Sequence, residues 1–175
     1  MQRYSCRKHG ASRCPNRASA PDALAITRVG VEAARPAPGV LEAIDAAELI
    51  LVAPSNPVVS IGPILAVPGI REALQQASAP VVGFSGILGG APVLGMAHRL
   101  LPAIGVGVDA AAVGLHYGPR TGDGVLDVWA MDDADEATAE RVAAAGLKVV
   151  VTDLIMGDPA RTAAFVGYAV QALGR

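Results

Sequence analysis

The hydrophobic pattern of the chain alternates short, unbroken apolar runs with alanine-rich segments. Three of the runs predict buried strands: ELILVA at 48–53, PVVGFS at 80–85 and LKVVVT at 147–152. Unbroken runs of this length are typical of parallel strands that helices cover on both faces. The run VLDVWAM at 125–131 predicts a further strand with mixed faces, and residues 25–31 predict a strand at the edge of the sheet.

The segments between these strands carry apolar residues at the spacing of one helix face. Val40 and Ile44 show this spacing in the first segment. Asp109 is placed to cap a short helix, and Asp158 with Pro159 supplies the N-cap and the first-turn proline of the last helix. The longer predicted helices cover residues 40–47, 69–77, 96–104, 135–145 and 159–173.

Strand and helix follow each other several times, which favours an α/β fold. We predict a doubly wound, mainly parallel sheet with right-handed crossovers. The composition agrees, because 52% of the 175 residues are apolar but only 3% are aromatic, so that Ala, Val, Leu and Ile must fill the core. No repeat or linker interrupts the pattern after residue 25, which indicates that residues 25–175 belong to one domain.

The first 24 residues differ from the rest in charge. Residues 1–20 hold five basic residues and no acid, whereas the remainder holds nine basic and 16 acidic residues. We predict that residues 1–24 form a disordered basic arm outside the domain. The arm lacks the hydrophobic segment of a secretory signal, and the spacing of Cys6, His9 and Cys14 matches no zinc pattern.

Charge and hydropathy also exclude some classes of partner. The net charge of −2 favours neither nucleic acid nor an anionic membrane surface. No apolar stretch approaches the roughly 20 residues that span a bilayer. We therefore expect a cytoplasmic protein that binds neither nucleic acid nor membrane.

The segment that follows the strand at 48–53 is the first candidate for chemistry. In an open α/β sheet, ligands bind beyond the carboxyl ends of the strands. Residues 54–63 (PSNPVVSIGP) offer there the hydroxyls of Ser55 and Ser60 and the amide of Asn56, in a loop stiffened by prolines. Uncharged donors of this kind suit phosphate or ribose oxygens. The same residues also fit a polar turn that only caps a helix.

Three further candidates lie in loops close to strands. Gly89 and Gly90 permit close approach of the backbone to a phosphate, although the pattern favours a tight turn. Asp153 follows the strand at 147–152 and could bind a metal or a ribose. His116 could donate to a phosphate or act as an acid–base group, and a structural role is the alternative.

The acidic cluster Asp132, Asp133 and Asp135 follows the strand at 125–131. Three carboxylates could hold Mg2+, but the pattern favours a capped, solvated start of a helix. The sequence contains no CxxC pair, no HExxH motif and no Ser/His/Asp arrangement. It therefore gives no support to a protease, a thiol redox protein or a zinc hydrolase.

Three runs taken together resemble a known family. They are ARPAPGVLEAI at 34–44, PSNPVVSIGPIL at 54–65 and PGIREAL at 68–74, and PVVGFSGILGG and His116-Tyr117-Gly118 follow in the same order. These runs are similar to the 2-phospho-L-lactate transferases of coenzyme F-420 biosynthesis. The resemblance extends from about Val29 to the C-terminus.

The resemblance implies a Rossmann-like fold, a homodimer and assistance by Mg2+. It implies transfer of a phospholactyl or phosphoenolpyruvyl group from a guanosine diphosphate-linked donor to the deazaflavin Fo, with release of GMP. It places the guanosine diphosphate moiety on Ser55, Asn56, Pro57, Ser60, Ile61, Gly62 and Arg71. Gly89, Gly90, His116 and Asp153 are the further candidates, and no catalytic or metal-binding residue is predicted.

Two departures from the family pattern bear on activity. The glycine-rich GGxGGxK motif with which family members begin has no counterpart here, so we expect a C-terminal portion that lacks the N-terminal half of the domain. The family's lysines after the second glycine-rich loop are also missing, because residues 89–96 read GGAPVLGM. The alternative to an active transferase is therefore a truncated, catalytically inactive nucleotide-binding remnant.

Overall fold

A computed structural model of the protein describes residues 2–6 and 23–174. The strands are β1 (Gln2–Cys6), β2 (Ala23–Arg28), β3 (Ile50–Val52), β4 (Val81–Phe84), β5 (Ile87–Leu88), β6 (Ala91–Pro92), β7 (Val128–Met131) and β8 (Lys148–Val151). The α-helices are α1 (Val40–Asp45), α2 (Gly62–Leu65), α3 (Ile70–Gln76), α4 (Ala97–Leu100), α5 (Ala110–Tyr117), α6 (Ala139–Ala143) and α7 (Pro159–Gln171).

The centre of the fold is a four-stranded sheet in the order β3-β4-β7-β8. All its neighbouring strands are parallel, with Ile50 opposite Val81 and Val82 opposite Val128. This arrangement confirms the predicted α/β fold with a mainly parallel sheet. The expectation that residues 48–53 are a buried strand is wrong, because β3 lies at the edge of the sheet and leaves Leu51 46% exposed.

Two apolar layers cover the two faces of the sheet, as a doubly wound fold requires. The larger layer includes Trp129 and Met131 of β7 together with side chains of α3 and α5. The smaller layer places Phe165 of α7 against Phe84 of β4, with ring centroids 5.6 Å apart. The buried residues are mostly aliphatic, as the composition predicts.

The first strands lie outside this sheet. β1 pairs with β2 in a separate antiparallel sheet of two strands, so the strand predicted at 25–31 is present over 23–28 but is not an edge of the main sheet. The predicted disorder of residues 1–24 does not describe Gln2–Cys6, whose backbone is paired. The remainder of the arm at 7–22, with His9 and Cys14, lies outside the described residues.

Proline and turn chemistry shorten two of the predicted helices. The helix predicted at 96–104 ends as a 3-10 turn at Leu101–Ile104, because Pro102 has no N–H to continue the α-helical ladder. The helix predicted at 135–145 begins as a 3-10 turn at Asp133–Thr138 and becomes α-helical only in α6. Asp109 and Asp158 cap α5 and α7 as predicted.

No single helix in residues 2–6 and 23–174 is long and apolar enough to cross a membrane. Pro57–Leu65 and Ile70–Gln76 reach the required length and composition only when they are taken together, and they meet at an angle of 79°.

An ion pair anchors the amino edge of the sheet. Arg120 contacts Asp127 through both Nε and Nη2, at 3.1 and 3.0 Å, and its Nη1 donates to the carbonyls of Leu74, Ala77 and Ala79. The other role of Asp127 is to accept the backbone N–H of Val81 at 2.8 Å. The pair therefore joins the starts of β4 and β7 to the segment that leads from α3 into β4.

Candidate functional site

A cleft of about 330 Å3 opens at the carboxyl edge of the main sheet. Its walls are the segments that follow β3, β4 and β8, which is where an open α/β sheet places ligands. The residues that line it are Pro54, Ser55, Asn56, Pro57, Phe84, Ser85, Gly86, Ile87, Leu88, Pro92, Val93, Leu94, Ala97, Val113, Tyr117, Trp129, Leu154, Ile155 and Met156.

The wall after β3 contains the first part of the predicted loop. Ser55, Asn56 and Pro57 line the cleft. The Oδ1 atom of Asn56 accepts from the N–H groups of Val58 and Val59 at 2.9 and 3.2 Å, so Asn56 is the N-cap of a helical segment. The prediction of a loop as far as residue 63 is therefore wrong. A capping Asn followed by proline starts a helix, here a π-helical turn at Pro57–Ile61 that runs into α2.

The second part of the predicted nucleotide-binding segment lies away from the cleft. Ser60, Ile61 and Gly62 are not among the lining residues. A Cβ atom on Gly62 would meet Nη2 of Arg28 and the carbonyl oxygen of Pro57, both at 2.5 Å. The same Nη2 donates to the Val58 carbonyl at 3.3 Å. Gly62 therefore makes room for an arginine that holds β2 against the helical segment.

The glycine-rich wall after β4 is a short β-hairpin. Gly89 and Gly90 have φ values of 56° and 78° and form the two-residue turn between β5 and β6. This left-handed pair is typical of tight hairpin turns, so the tight-turn interpretation is confirmed. Both glycines are exposed, and the lining residues of this wall are instead Ile87, Leu88 and Pro92.

The floor of the cleft is aromatic. Trp129 is fully buried and donates from Nε1 to the Ala110 carbonyl at 3.0 Å, while the Tyr117 ring packs 5.8 Å away. A Cβ atom on Gly83 or Gly114 would come within 2.9 or 2.7 Å of the indole. These two glycines therefore make room for the tryptophan. Burial raises the pKa of the Tyr117 hydroxyl well above its usual value, so the phenol stays protonated at neutral pH.

The buried residues of the described part of the chain include Ser85, Asp132 and Asp135, whose side chains are polar or charged. Ser85 lines the cleft, whereas Asp132 and Asp135 lie behind its walls. The Ser85 hydroxyl donates to the Ile87 carbonyl at 2.8 Å and accepts from its N–H at 3.1 Å. Asp132 accepts from Leu154 after β8, and Asp135 accepts from Gly89 in the hairpin. Asp132 also accepts from Ala134 N–H and caps the 3-10 turn, which confirms the predicted cap. The expectation that this start is solvated is wrong for Asp132 and Asp135, which are buried.

The remaining predicted residues do not converge on the cleft. Asp153 is exposed and forms an ion pair with Arg161. Its pKa is lowered, first by the Ile155 N–H that it accepts and then by Arg161. Arg71 donates from Nη1 to the Asp123 carbonyl at 3.4 Å. Neither Asp153 nor Arg71 lines the cleft.

His116 is expected to be neutral at pH 7. Its ring packs 5.7 Å from Tyr117, and desolvation followed by the charges of Arg71 and Arg28 lowers its pKa below the ordinary 6.5. Because the folded state then holds this proton less tightly than the unfolded chain, the free energy of unfolding falls as the pH drops below 6.5. An NMR titration of the imidazole should show the lowered midpoint, and Arg71→Gln should raise it. The matched variant Arg161→Gln should leave the midpoint unchanged. An equal change of the midpoint in both variants would contradict the assignment of part of the pKa shift to the charge of Arg71.

The described side chains do not build a magnesium site by themselves. Among residues 2–6 and 23–174, no three His, Cys, Asp or Glu side chains are grouped to hold a metal ion. Asp132 and Asp135 accept backbone N–H groups, and Asp153 faces Arg161. Mg2+ typically takes one or two carboxylates and completes its shell with phosphate oxygens and water. The absence of a three-ligand group among the described residues therefore leaves Mg2+ a prediction that rests on the family.

Known proteins place the chain in a family. The profile of the 2-phospho-L-lactate transferase CofD family matches residues 7–166. The chain belongs to this family. A phosphoenolpyruvate transferase from Streptomyces griseus is 54% identical over 150 residues, which are 86% of this chain and 46% of that protein. A phosphoenolpyruvate transferase from Kitasatospora aureofaciens is 57% identical over 163 residues, which are 93% of this chain and 47% of that protein.

The CofD family chain spans about half the length of these relatives. A crystal structure of a UPF0052 family protein from Bacillus halodurans is similar in fold. It has a TM-score of 0.57 at 16% identity and covers 83% of this chain and 50% of the other. This likeness agrees with the α/β architecture and carries no information on activity.

Ser85 and the apolar lining residues were absent from the sequence-based candidates, and Asp132 was considered only as part of an acidic cluster. Ser85 ends one predicted strand, and Asp132 follows another directly. A polar side chain at the exit of an apolar run is the signal that could have identified both as parts of the site. The apolar lining residues Leu154, Ile155 and Met156 carry no such signal.

Proposed function

We propose that this CofD family chain binds the guanosine diphosphate moiety of a phospho-acid donor in the cleft at the carboxyl edge of its sheet. The observation that carries the proposal is the position of Ser55 and Asn56, which line the cleft directly after β3. Oδ1 of Asn56 is occupied by two backbone N–H groups. The Ser55 hydroxyl and the Asn56 Nδ2 group are therefore the donors offered to phosphate or ribose oxygens.

The proposed reaction transfers a phospholactyl or phosphoenolpyruvyl group to the deazaflavin Fo. A hydroxyl of the acceptor attacks the phosphorus that bears the acid, a new P–O bond forms, and the bond to GMP breaks as the hydroxyl proton leaves. Catalysis of this kind depends mainly on positioning and on stabilisation of charge. The family membership and the names of the relatives support this reaction. We assign no catalytic residue among the described ones.

Four of the residues that the sequence assigns to the nucleotide lie outside the cleft. Ser60, Ile61, Gly62 and Arg71 do not line the cleft, so any contribution from them to nucleotide binding is indirect. Mg2+, a homodimer and a cytoplasmic location stay predictions that rest on the family and on composition. The apolar floor around Trp129 suits a flat ring system rather than a charged group.

A titration with GDP tests the site directly. Trp129 is the only tryptophan of the chain and lines the cleft, so its fluorescence should change as GDP binds. Ser55→Ala removes one donor and should weaken binding about three- to tenfold, the value of one hydrogen bond. Asn56→Asp keeps the helix cap but places a carboxylate beside the phosphates, and should weaken binding more than about tenfold.

The controls separate binding from folding and from turnover. Asn56→Ala removes both the cap and the amide and should also lower the unfolding midpoint, which Asn56→Asp should not. If Ser55→Ala and Asn56→Asp bind GDP as tightly as the parent chain, this loop is not the nucleotide site. Binding of GDP without product from donor and Fo would support the inactive remnant over the transferase.

A further inference from the structure

Two buried carboxylates stand behind the cleft without touching its interior. Asp132 is 9% and Asp135 is 6% exposed, and these are the buried charged side chains of the described part of the chain. Neither lines the cleft. Both lie in the turn that follows β7. In the sheet, β7 lies between β4 and β8, and the segments that follow these two strands form opposite walls of the cleft.

Asp132 reaches the wall after β8. Its Oδ2 accepts the backbone N–H of Leu154 at 3.0 Å, and its Oδ1 accepts that of Ala134 at 3.1 Å. The carboxylate thereby ties the lining segment that starts at Leu154 to the turn after β7. A hydrogen bond from a backbone N–H to a carboxylate is stronger than one to a neutral acceptor.

Asp135 reaches the opposite wall. Its Oδ2 accepts the backbone N–H of Gly89 at 3.0 Å, at the tip of the β5–β6 hairpin. Gly89 is exposed, and a Cβ atom built on it would lie 3.8 Å from the methyl group of Ala134. A charge-assisted hydrogen bond thus links the tip of the hairpin to the turn after β7, across a separation of 46 residues.

Burial of a charged group is costly, and apolar residues of similar size often stabilise a fold at least as well. The cap on the 3-10 turn accounts for only one of the two oxygens of Asp132, so the hydrogen bonds to Leu154 and Gly89 indicate a role beyond the local turn. We propose that Asp132 and Asp135 are positioning residues that fix the two walls of the cleft at the separation its ligand requires. Only the identity of that ligand rests on the proposed function.

Hydrogen exchange of single amides tests the positioning without any ligand. In Asp135→Ala, the Gly89 amide should exchange at least about tenfold faster, because it loses its acceptor, while the Leu154 amide keeps its rate. Asp132→Ala should show the reverse pattern. In Asp135→Asn, the Gly89 amide should exchange at a rate between those of the parent chain and Asp135→Ala, because the new Oδ1 can still accept from Gly89 but carries no charge. Asp133→Ala is the matched control, since Asp133 is exposed in the same turn.

The titration with GDP adds a readout of function. Asp135→Ala should bind GDP about tenfold more weakly, Asp135→Asn should lose less than that, and Asp133→Ala should bind it as the parent does. All three variants should keep the slow exchange of the Trp129 amide in β7. Unchanged exchange at Gly89 in Asp135→Ala would overturn the proposal. So would faster exchange at both Gly89 and Trp129, because the carboxylate would then serve the whole fold. A parent chain that binds no GDP refutes the proposed function, whereas the exchange pattern still decides the positioning role.

Discussion

Replacing Gly124 with alanine is expected to lower the free energy of unfolding by more than about 3 kcal/mol, whereas the same change at Gly122 should cost less than about 1 kcal/mol. A Cβ atom on Gly124 would overlap the carbonyl carbon and oxygen of Gly118, which are backbone atoms and cannot turn aside. That carbonyl also accepts from the N–H groups of Val125 and Leu126 at 3.1 and 3.0 Å. The alanine must therefore displace the segment that leads into β7.

Gly122 is the matched control for this prediction. It lies two residues earlier in the same loop, and a Cβ atom there would meet only the Pro119 carbonyl, at an ordinary 3.8 Å. Urea denaturation monitored by circular dichroism measures both variants. Equal midpoints for Gly124→Ala and Gly122→Ala would show that the loop yields at little cost and that the contact with Gly118 is unimportant.

Replacing Arg120 with alanine is expected to lower the free energy of unfolding by about 3 kcal/mol. The side chain is 16% exposed. Its loss removes the ion-pair partner of Asp127, which keeps only the Val81 N–H, and removes the donor to the carbonyls of Leu74, Ala77 and Ala79. Water reaches these partly buried oxygens poorly, so it does not fully replace the hydrogen bonds that they lose. The effect should therefore be much larger than that of an ion pair at the surface.

Arg141→Ala provides the comparison. Arg141 forms an ion pair with Asp109 at 2.8 Å, but the arginine is 51% exposed and makes no other hydrogen bond to the described residues. Its loss should cost less than about 1 kcal/mol. Thermal and urea unfolding of the two variants measure the difference. A loss at Arg120 no greater than that at Arg141 would mean that water replaces the guanidinium at the amino edge of the sheet.

The sequence predicts the position of the cleft because that position depends on local order. An apolar run followed by Pro54 and Ser55 marks the exit of a strand, and parallel strands bring such exits to one edge. The roles of Asp132 and Asp135 could not be predicted in this way. Their hydrogen bonds reach across 22 and 46 residues, and only the order of strands in the sheet makes the pairs neighbours.

The structure differs from the sequence-based expectation at β3 and at the segment after Asn56, and both differences have physical causes. The apolar run of β3 looks like that of a central strand, but exposure of Leu51 follows from its place at the edge, which no local pattern encodes. The segment after Asn56 looks like a loop because it is rich in Pro, Ser and Gly. It becomes helical because one side-chain oxygen satisfies two backbone N–H groups at once.

The anchor formed by Arg120 and Asp127 has a consequence for how this family can diverge. It joins the strands at the end opposite the cleft, and none of its hydrogen bonds involves a loop of the cleft wall. Substitutions at distant sites without shared partners have additive effects on stability. Inherited changes in the loops after β3 and β8 can therefore reshape the cleft, while the scaffold that carries them persists through descent.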